Sequence, residues 1–318
     1  MGLTFQLLPV RLRFRASEVV LFPPGRPGNM VRGGFGAALK QLVCIPSCRD
    51  PRTCERRWVC PYARIFAPHA PESGPSGLAD RPRPFLFRTH HLDGIAVEPG
   101  QPFHIDLHLF EVREPRLPHF VDGLRLLASE GLGPRRGRAA LETVELLDAE
   151  GEPRDMVYAE PAGWNPVLPA PLELSLAPDS VPVSRVLVRF LTATELKGGG
   201  AVVERPEFSV LMARIRDRLS ALRALYGPGP LPLDFREFGE RTGRVRLARA
   251  NIRRVRITRR SSGTGRIHPI GGFLGEAEYE GDLAEFMPYL RAAQWTGVGR
   301  QTVWGNGVVQ AVAITTGA

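Results

Sequence analysis

The stretch that decides the fold begins with SRVLVRFLTA at 184–193 and ends with EFSVLMARIRDRLSALRALY at 207–226. The first segment is predicted to be a β-strand, and the second has the apolar spacing of an amphipathic helix. The elements expected after them are strands at 250–260 and 271–280, a helix at 282–293 and a strand near 305–315. The order β-α-β-β-α-β is that of the ferredoxin-like, or split βαβ, unit.

The N-terminal half repeats this order. Its predicted elements are a strand at 3–15, a Gly-interrupted helix at 28–43, strands at 84–91 and 103–112, a helix at 118–130 and a strand at 139–148. In the strand at 103–112, one face carries Phe103, Ile105, Leu107 and Leu109, and the other carries His104, Asp106 and His108. These histidines, with His90 and His91, are expected to be polar surface groups.

A shared glycine pattern supports the duplication. GLGPRRG at 131–137 and GVGRQTVWG at 297–305 follow the second helix of each half. The sequence therefore predicts an α+β protein of two tandem ferredoxin-like (βαββαβ, RRM-like) domains. We assign 1–175 to the first domain, with a Cys-rich insertion at about 44–80, and 176–318 to the second. Residues 150–182, rich in Pro and Gly, are interpreted as the linker.

The charge balance favours a polyanionic partner. Lys and Arg number 42 against 33 Asp and Glu, which gives a net charge of +9 and a pI near 10.1. Clustered arginine suits phosphate contacts, although a GC-rich genome would also enrich Arg. There is no apolar run of about 18 residues to span a membrane and no signal-peptide core at the N-terminus. We therefore expect a cytoplasmic protein.

Position of the charge points to nucleic acid. Residues 241–275 contain ten arginines and no Asp or Glu. A solvated strand face would normally mix signs, because like charges opposite each other destabilise a sheet. A basic hairpin can follow the phosphates and 2′-hydroxyls of an RNA stem, whereas an ordinary exposed face is the alternative. The predicted RNA-binding residues here are Arg253, Arg254, Arg256, Arg259, Arg260 and Arg266.

The glycine loop at 297–307 does not fit a dinucleotide fingerprint, which needs a strand before it and a helix after it. Here the predicted order is the reverse. Backbone N–H groups of such a loop could approach phosphates closely, and a tight turn without a ligand is the alternative. The predicted RNA contacts in this loop are Gly297, Gly299, Arg300, Gly305 and Gly307.

Four cysteines, Cys44, Cys48, Cys54 and Cys60, fall within one Arg- and Pro-rich segment. In a reducing cytoplasm they point to metal binding or burial rather than to disulfides. Their spacings are looser than the paired C-x2-C of zinc ribbons. Structural zinc, an iron–sulfur cluster and free thiols remain open, with zinc favoured over the cluster.

Several motifs resemble the CRISPR-associated RAMP-superfamily endoribonucleases that process guide-RNA precursors, the Cas-six family. GGFLGEAEYEGDL at 271–283 and the glycine loop are similar to its C-terminal signature, and RGGFGAALK at 32–40 is similar to its first helix. CPYARIF at 60–66 resembles a cysteine-containing branch. The resemblance implies tandem ferredoxin-like domains, CRISPR repeat RNA and crRNA as partners, and metal-independent cleavage that leaves a 2′,3′-cyclic phosphate.

Such cleavage needs a base, an acid and a cation. The family often supplies a histidine near its first helix, but residues 16–45 contain none. His268 is the histidine best placed to reach RNA, and Arg26, Arg32 and Lys40 are the cations around the first helix. The runner-up function is a non-catalytic RAMP subunit that binds crRNA among other CRISPR effector subunits. An unrelated RNA-recognition module is disfavoured, because the predicted central strands have few aromatic residues.

Overall fold

The computed structural model describes residues 3–68, 82–166, 169–260, 265 and 267–314. Its strands are β1 Thr4–Ala16, β2 Val20–Leu21, β3 Phe85–Arg88, β4 Ala96–Val97, β5 Pro102–Leu109, β6 Ala139–Leu147, β7 Pro153–Ala159, β8 Gly163–Trp164, β9 Leu172–Ser175, β10 Arg185–Thr194, β11 Lys197–Gly198, β12 Ala201–Val202, β13 Arg246–Val255, β14 Thr258–Arg260, β15 Ile267–Pro269, β16 Gly272–Glu280 and β17 Val309–Ala313. Its α-helices are α1 Pro27–Val43, α2 Pro61–Phe66, α3 Leu117–Glu130, α4 Phe208–Tyr226, α5 Phe235–Thr242 and α6 Met287–Thr296.

Two compact units make up the chain. The N-terminal unit comprises Gln6–Glu173 and Ala224–Pro228, and the C-terminal unit comprises Met1–Phe5, Leu174–Arg223 and Gly229–Ala318. The strand order is β3-β5-β1-β6 in the first sheet and β13-β16-β10-β17 in the second. Both sheets thus place the four strands of the βαββαβ unit in the order second, third, first, fourth. The predicted tandem ferredoxin-like fold is confirmed.

Aromatic side chains form the core of the N-terminal unit. Phe35 of α1 stacks on Phe120 of α3 with ring centroids 4.9 Å apart, and Phe85 and Phe87 of β3 pack edge-on against this pair. All four rings are almost completely buried. Aromatic pairs of this geometry add to the stabilisation given by apolar burial, so the two helices are held on one face of the sheet.

The C-terminal unit has an equivalent core under α4 and α6. Val186, Val188 and Phe190 of β10 are buried, while the residues between them, including Arg189, face the opposite side of the sheet. This alternation leaves one face of the sheet to the helices and the other to charged side chains. None of the helices in the described part of the chain is long and apolar enough to cross a membrane.

The predicted linker at 150–182 was wrong. It contains β7, β8 and β9, and β7 and β8 extend the N-terminal sheet beyond β6. Val157 and Tyr158 are buried there. Its two glycines both have positive φ, Gly151 in the turn before β7 and Gly163 at the start of β8. A Pro- and Gly-rich composition is therefore compatible with short strands joined by turns.

Three other element boundaries differ from the prediction. The strand expected at 84–91 ends at Arg88 and passes into a short 3-10 helix, and the strand expected at 250–260 is two strands, β13 and β14. Helix α6 starts at Met287 rather than at 282, because Pro288 suits only the first turn of a helix. Helix α5 was not predicted. The Asp234 carboxylate caps it by accepting hydrogen bonds from the backbone of Arg236 and Glu237.

Candidate nucleic-acid interface

The basic strand β13 lies against an acidic strand, β16, over the first half of its length. In the antiparallel register, Arg246 is opposite Glu280 and Arg249 is opposite Glu278. Arg246 and Arg185 of β10 both form ion pairs with Glu280. The hydrogen bond from Arg185 lowers the pKa of that carboxyl. The arginine run is thus free of acids in the sequence but not in the folded chain, where Arg241 and Arg246 form ion pairs with glutamates and Arg249 lies opposite one.

The second half of the run has a different environment. Arg253 is opposite Leu274, and Arg254 is opposite Phe273. In the described part of the chain, no ion pair forms at Arg253, Arg254 or Arg256, and all three are exposed. We call these three residues the arginine patch. Positive charge on the sheet is therefore concentrated where β13 ends.

His268 lies on the hairpin that follows the arginine patch. Strands β14 and β15 pair with Arg259 opposite His268 and Arg260 opposite Ile267. The His268 side chain is half-exposed. Arg266 and residues 261–264 lie outside the described residues. This placement puts an imidazole and the backbone of two predicted RNA-binding arginines on one basic hairpin.

The glycine loop from α6 to β17 is held by its own backbone. The N–H of Val298 donates to the carbonyl oxygen of Gly307 at 2.9 Å, and the N–H of Arg300 donates to that of Glu195 at 3.1 Å. Gly299 and Gly307 have φ values of 79° and 70°. A Cβ on Gly307 would lie 2.0 Å from the Val298 oxygen, and one on Gly299 would lie 2.4 Å from the Glu195 oxygen. Packing alone therefore accounts for these two glycines.

The other residues of this loop that were predicted to contact RNA also have structural roles within the protein. Gly297 ends α6 with a φ of 71°, and its N–H donates to the carbonyl of Ala293. Gly305 ends a 3-10 turn with a φ of 90°. The Arg300 guanidinium is 2.6 Å from the Glu195 carboxylate and is about half exposed. The loop is a compact α-to-β connection, and an RNA contact there stays a prediction.

The three cations predicted around the first helix do not converge. Arg26 caps the N-terminus of α1, whereas Lys40 is in its last turn. A rise of about 1.5 Å per residue separates their backbones by roughly 20 Å along the axis. Arg32 lies between them, with its guanidinium 5.0 Å from the centroid of the Phe66 ring. Arg26 and Lys40 are therefore too far apart to contact one phosphate together.

Two known protein families match parts of the chain. Residues 188–309 match the family described as CRISPR-associated endoribonuclease Cas6, and residues 5–169 match a family described as an N-terminal domain. The C-terminal part of the chain, residues 188–309, is therefore similar to the Cas6 family. The match of residues 5–169 covers most of the sheet of the N-terminal unit, and the Cas6 match covers most of that of the C-terminal unit. The Cas6 match contains β13, the arginine patch and the whole glycine loop.

Solved structures show the same fold. A Cas6 product complex is 20% identical over 96% of this chain and 99% of its own, with a TM-score of 0.54. A Thermus thermophilus Cas6 is 18% identical over 98% and 100%, with a TM-score of 0.51. A chain of a partial Cas6-RT-Cas1–Cas2 complex is 11% identical; the match covers all of this chain and 48% of that one, with a TM-score of 0.54. No curated protein sequence matches the chain.

The four cysteines of the Cys-rich segment are half-buried, and their thiols lie close enough to affect one another's pKa. Burial and the neighbouring thiols of Cys48 and Cys60 raise the pKa of Cys44 to about 11. Within the described ranges, no set of three or more His, Cys, Asp or Glu side chains has ligand geometry ready for a metal. Four close thiols nevertheless form the donor set that tetrahedral zinc prefers, and residues 69–81 of the predicted insertion lie outside the described residues.

The histidines of the N-terminal sheet are not the surface groups that the sequence predicted. His108 is buried. The His91 ring stacks on the His104 ring with centroids 4.0 Å apart, and desolvation lowers the pKa of His104 to about 4. Asp106 lies 3.9 Å from His104 and is held by Arg11 through two hydrogen bonds of 2.8 and 2.9 Å.

This histidine cluster was missed because it depends on strand register. The alternation of His104, Asp106 and His108 predicted a polar face. Only the pairing of β5 with β1 places Arg11 opposite Asp106, and only the turn after β3 returns His91 to stack on that face. At neutral pH the His104 imidazole is therefore uncharged, and the lowered pKa makes it a weak base.

Proposed function

We propose that this chain is an endoribonuclease that cuts CRISPR repeat RNA once and stays bound to the product. The observation that carries the proposal is the arginine patch. Three exposed guanidinium groups begin where the acidic partners on β16 end, on a family domain described as an endoribonuclease. Exposed, unneutralised arginines release counterions when they bind phosphates, which favours RNA over a protein partner.

The proposed reaction is attack of a ribose 2′-oxygen on its own neighbouring phosphate. The P–O5′ bond breaks, the 2′-oxygen loses its proton to a base, and the 5′-oxygen leaves with a proton from an acid. The products are a 2′,3′-cyclic phosphate and a 5′-hydroxyl, with no water consumed. Because no water is activated, we expect the reaction to proceed without a catalytic metal ion.

His268 is the first candidate for proton transfer in this reaction. It is half-exposed on the hairpin β14–β15, directly after the arginine patch. An imidazole can both accept and donate a proton near neutral pH. Arg26, Arg32 and Lys40 are the candidates for stabilising the charge of the phosphorane-like transition state, and Arg26 and Lys40 are too far apart along α1 to do so together.

The test is cleavage of the repeat RNA of the associated CRISPR array. Wild-type protein should cut it in EDTA, and a single 2′-deoxy substitution at the cut site should stop cleavage with little loss of binding. His268→Ala should slow cleavage by roughly 10²–10⁴-fold, with His104→Ala as the parallel variant. If only His104→Ala slows the reaction, the base belongs to the N-terminal sheet. Tight binding without any cleavage would instead favour the runner-up, a non-catalytic RAMP subunit.

A further inference from the structure

An exposed tryptophan stands out in the cysteine segment. Trp58 is 60% exposed, and the Arg57 guanidinium lies 4.6 Å from the centroid of its ring. Both residues lie between Cys54 and Cys60, in turns closed by backbone hydrogen bonds from Arg57 to Cys54 and from Cys60 to Arg56. Burying a tryptophan stabilises a fold considerably, so an indole held outward on a braced loop indicates a surface for binding.

A cavity of about 350 Å³ adjoins this tryptophan. Arg57, Trp58, Arg64, Glu111, Glu114 and Arg116 are among its lining residues. The Glu114 carboxylate lies 2.8 Å from the Arg116 guanidinium and 3.4 Å from that of Arg64. The volume is at the lower end of the roughly 300–1,000 Å³ typical of ligand sites, and the lining combines a π-face, cations and carboxylate acceptors.

The charged residues that line the cavity indicate the kind of ligand. They are three arginines, Arg57, Arg64 and Arg116, and two glutamates, Glu111 and Glu114. A nucleotide matches each part of this lining. Its base can stack on the indole, as any base can because every base has a π-face, its phosphate suits Arg64 or Arg116, and an exocyclic amino group can donate to Glu111 or Glu114.

We propose that Trp58 and this cavity bind an unpaired nucleotide of the RNA that the protein processes. The inference rests on the proposed function and extends it to the N-terminal unit, which then reads single-stranded RNA by stacking rather than by base sequence. The arginine patch on β13 supplies phosphate contacts, and the Trp58 site adds affinity only for RNA that has an unpaired extension.

The experiment compares three RNAs on four proteins. The RNAs are the repeat hairpin alone, the hairpin with six unpaired uridines at its 5′ end, and the hairpin with six unpaired uridines at its 3′ end. The proteins are the wild type, Trp58→Ala, Trp58→Phe and, as a matched control, Trp164→Ala. Trp164 is also exposed but lies on β8, at the opposite edge of the sheet from β3.

Wild-type protein should bind at least one tailed RNA more tightly than the hairpin alone. Trp58→Ala should lose about 5- to 10-fold of affinity for that tailed RNA, the low end of base–aromatic stacking, and none for the hairpin. Trp58→Phe should keep most of the gain, and Trp164→Ala should behave as wild type. Equal losses on that tailed RNA and on the hairpin, or no loss on either, would overturn the inference. Failure of the wild type to bind the hairpin would instead count against the proposed function, and Trp58-dependent binding of free hexauridylate would still support the site.

Discussion

Arg253 lies directly opposite Leu274 in the β13–β16 ladder, two rungs past the pair formed by Asn251 and Glu276. This is the point at which the acidic neighbours of the basic strand end. Arginines before this rung have glutamates on the adjacent strand, and those after it do not. Strand register therefore divides the arginines of β13 into those opposite glutamates, Arg246 and Arg249, and those opposite apolar residues, Arg253 and Arg254.

The first prediction follows from this split. Replacing Arg253, Arg254 and Arg256 together with Ala should lower the slope of log affinity against log salt concentration by about 2, because each lost phosphate contact removes about 0.7 of a released counterion for single-stranded nucleic acid. Measurements of RNA affinity from 50 to 300 mM salt, a range over which the Debye length shortens, give this slope.

A matched triple variant controls for total charge. Arg185, Arg246 and Arg249 are opposite or bonded to glutamates of β16. Replacing these three with Ala removes the same charge but should change the slope much less. Equal changes in the two variants would mean that the whole sheet face contacts RNA and that the ladder does not define the footprint.

The second prediction concerns metal. Protein made under reducing conditions should contain close to one zinc per chain, bound by Cys44, Cys48, Cys54 and Cys60, because four thiolates complete a tetrahedral structural site. Elemental analysis measures the zinc, and visible absorption would reveal an iron–sulfur cluster instead. Cys60→Ser should lower the zinc content and speed proteolysis after Arg49 or Arg52, while the two ferredoxin-like cores stay folded. Wild-type protein that contains no metal would contradict the zinc site and favour four free thiols.

The third prediction separates packing from ligand binding in the glycine loop. Gly299→Ala should destabilise the C-terminal unit more than Gly200→Ala does. Both glycines have similar positive φ values, 79° and 84°, and so share a backbone cost of about 1–2 kcal/mol. A Cβ at Gly200 meets no atom within 4 Å, whereas one at Gly299 collides with the Glu195 carbonyl.

Urea denaturation midpoints of the two variants measure this difference. We expect at least about 2 kcal/mol of additional loss for Gly299→Ala, since the obstructing atom belongs to the backbone and cannot rotate away. Equal losses would mean that the loop has room for a side chain. Close approach of an RNA phosphate would then be the better explanation of the glycine pattern.

The fourth prediction concerns pH. Desolvation lowers the pKa of His104 to about 4, below the value of about 6.5 expected in the unfolded chain. Between pH 6.5 and 4 the unfolded chain therefore binds a proton that the folded chain does not, and the free energy of unfolding falls as the pH falls. His104→Gln, which cannot titrate, should lose less stability across this window than the wild type does. If the free energy of unfolding varied with pH in the same way for both proteins, the lowered pKa of His104 would be contradicted, even if one protein were more stable at every pH.

Much of the fold could be predicted from local patterns. The spacing of apolar residues in EFSVLMARIRDRLSALRALY and the alternation in 103–112 are set by the periods of helix and strand, and the repeated order β-α-β-β-α-β indicated two ferredoxin-like units. The prediction of a linker at 150–182 failed because the strands there are short and the Pro and Gly content is that of a loop. Helix α5 is only eight residues long, too short for its periodicity to stand out.

For the candidate sites, too, the local sequence determined some features and the tertiary structure decided others. The sequence by itself determined that the chain is basic, that its arginines cluster in 241–275 and that four thiols lie within one segment, because these are properties of neighbours along the chain. Only the tertiary structure decided which arginines keep their charge, that His91 stacks on His104, that Arg26 and Lys40 lie at opposite ends of one helix, and that Trp58 borders a cavity. Each of these depends on strand register or on packing between residues distant in sequence, and a one-residue shift in register would turn every side chain of β13 to the other face of the sheet.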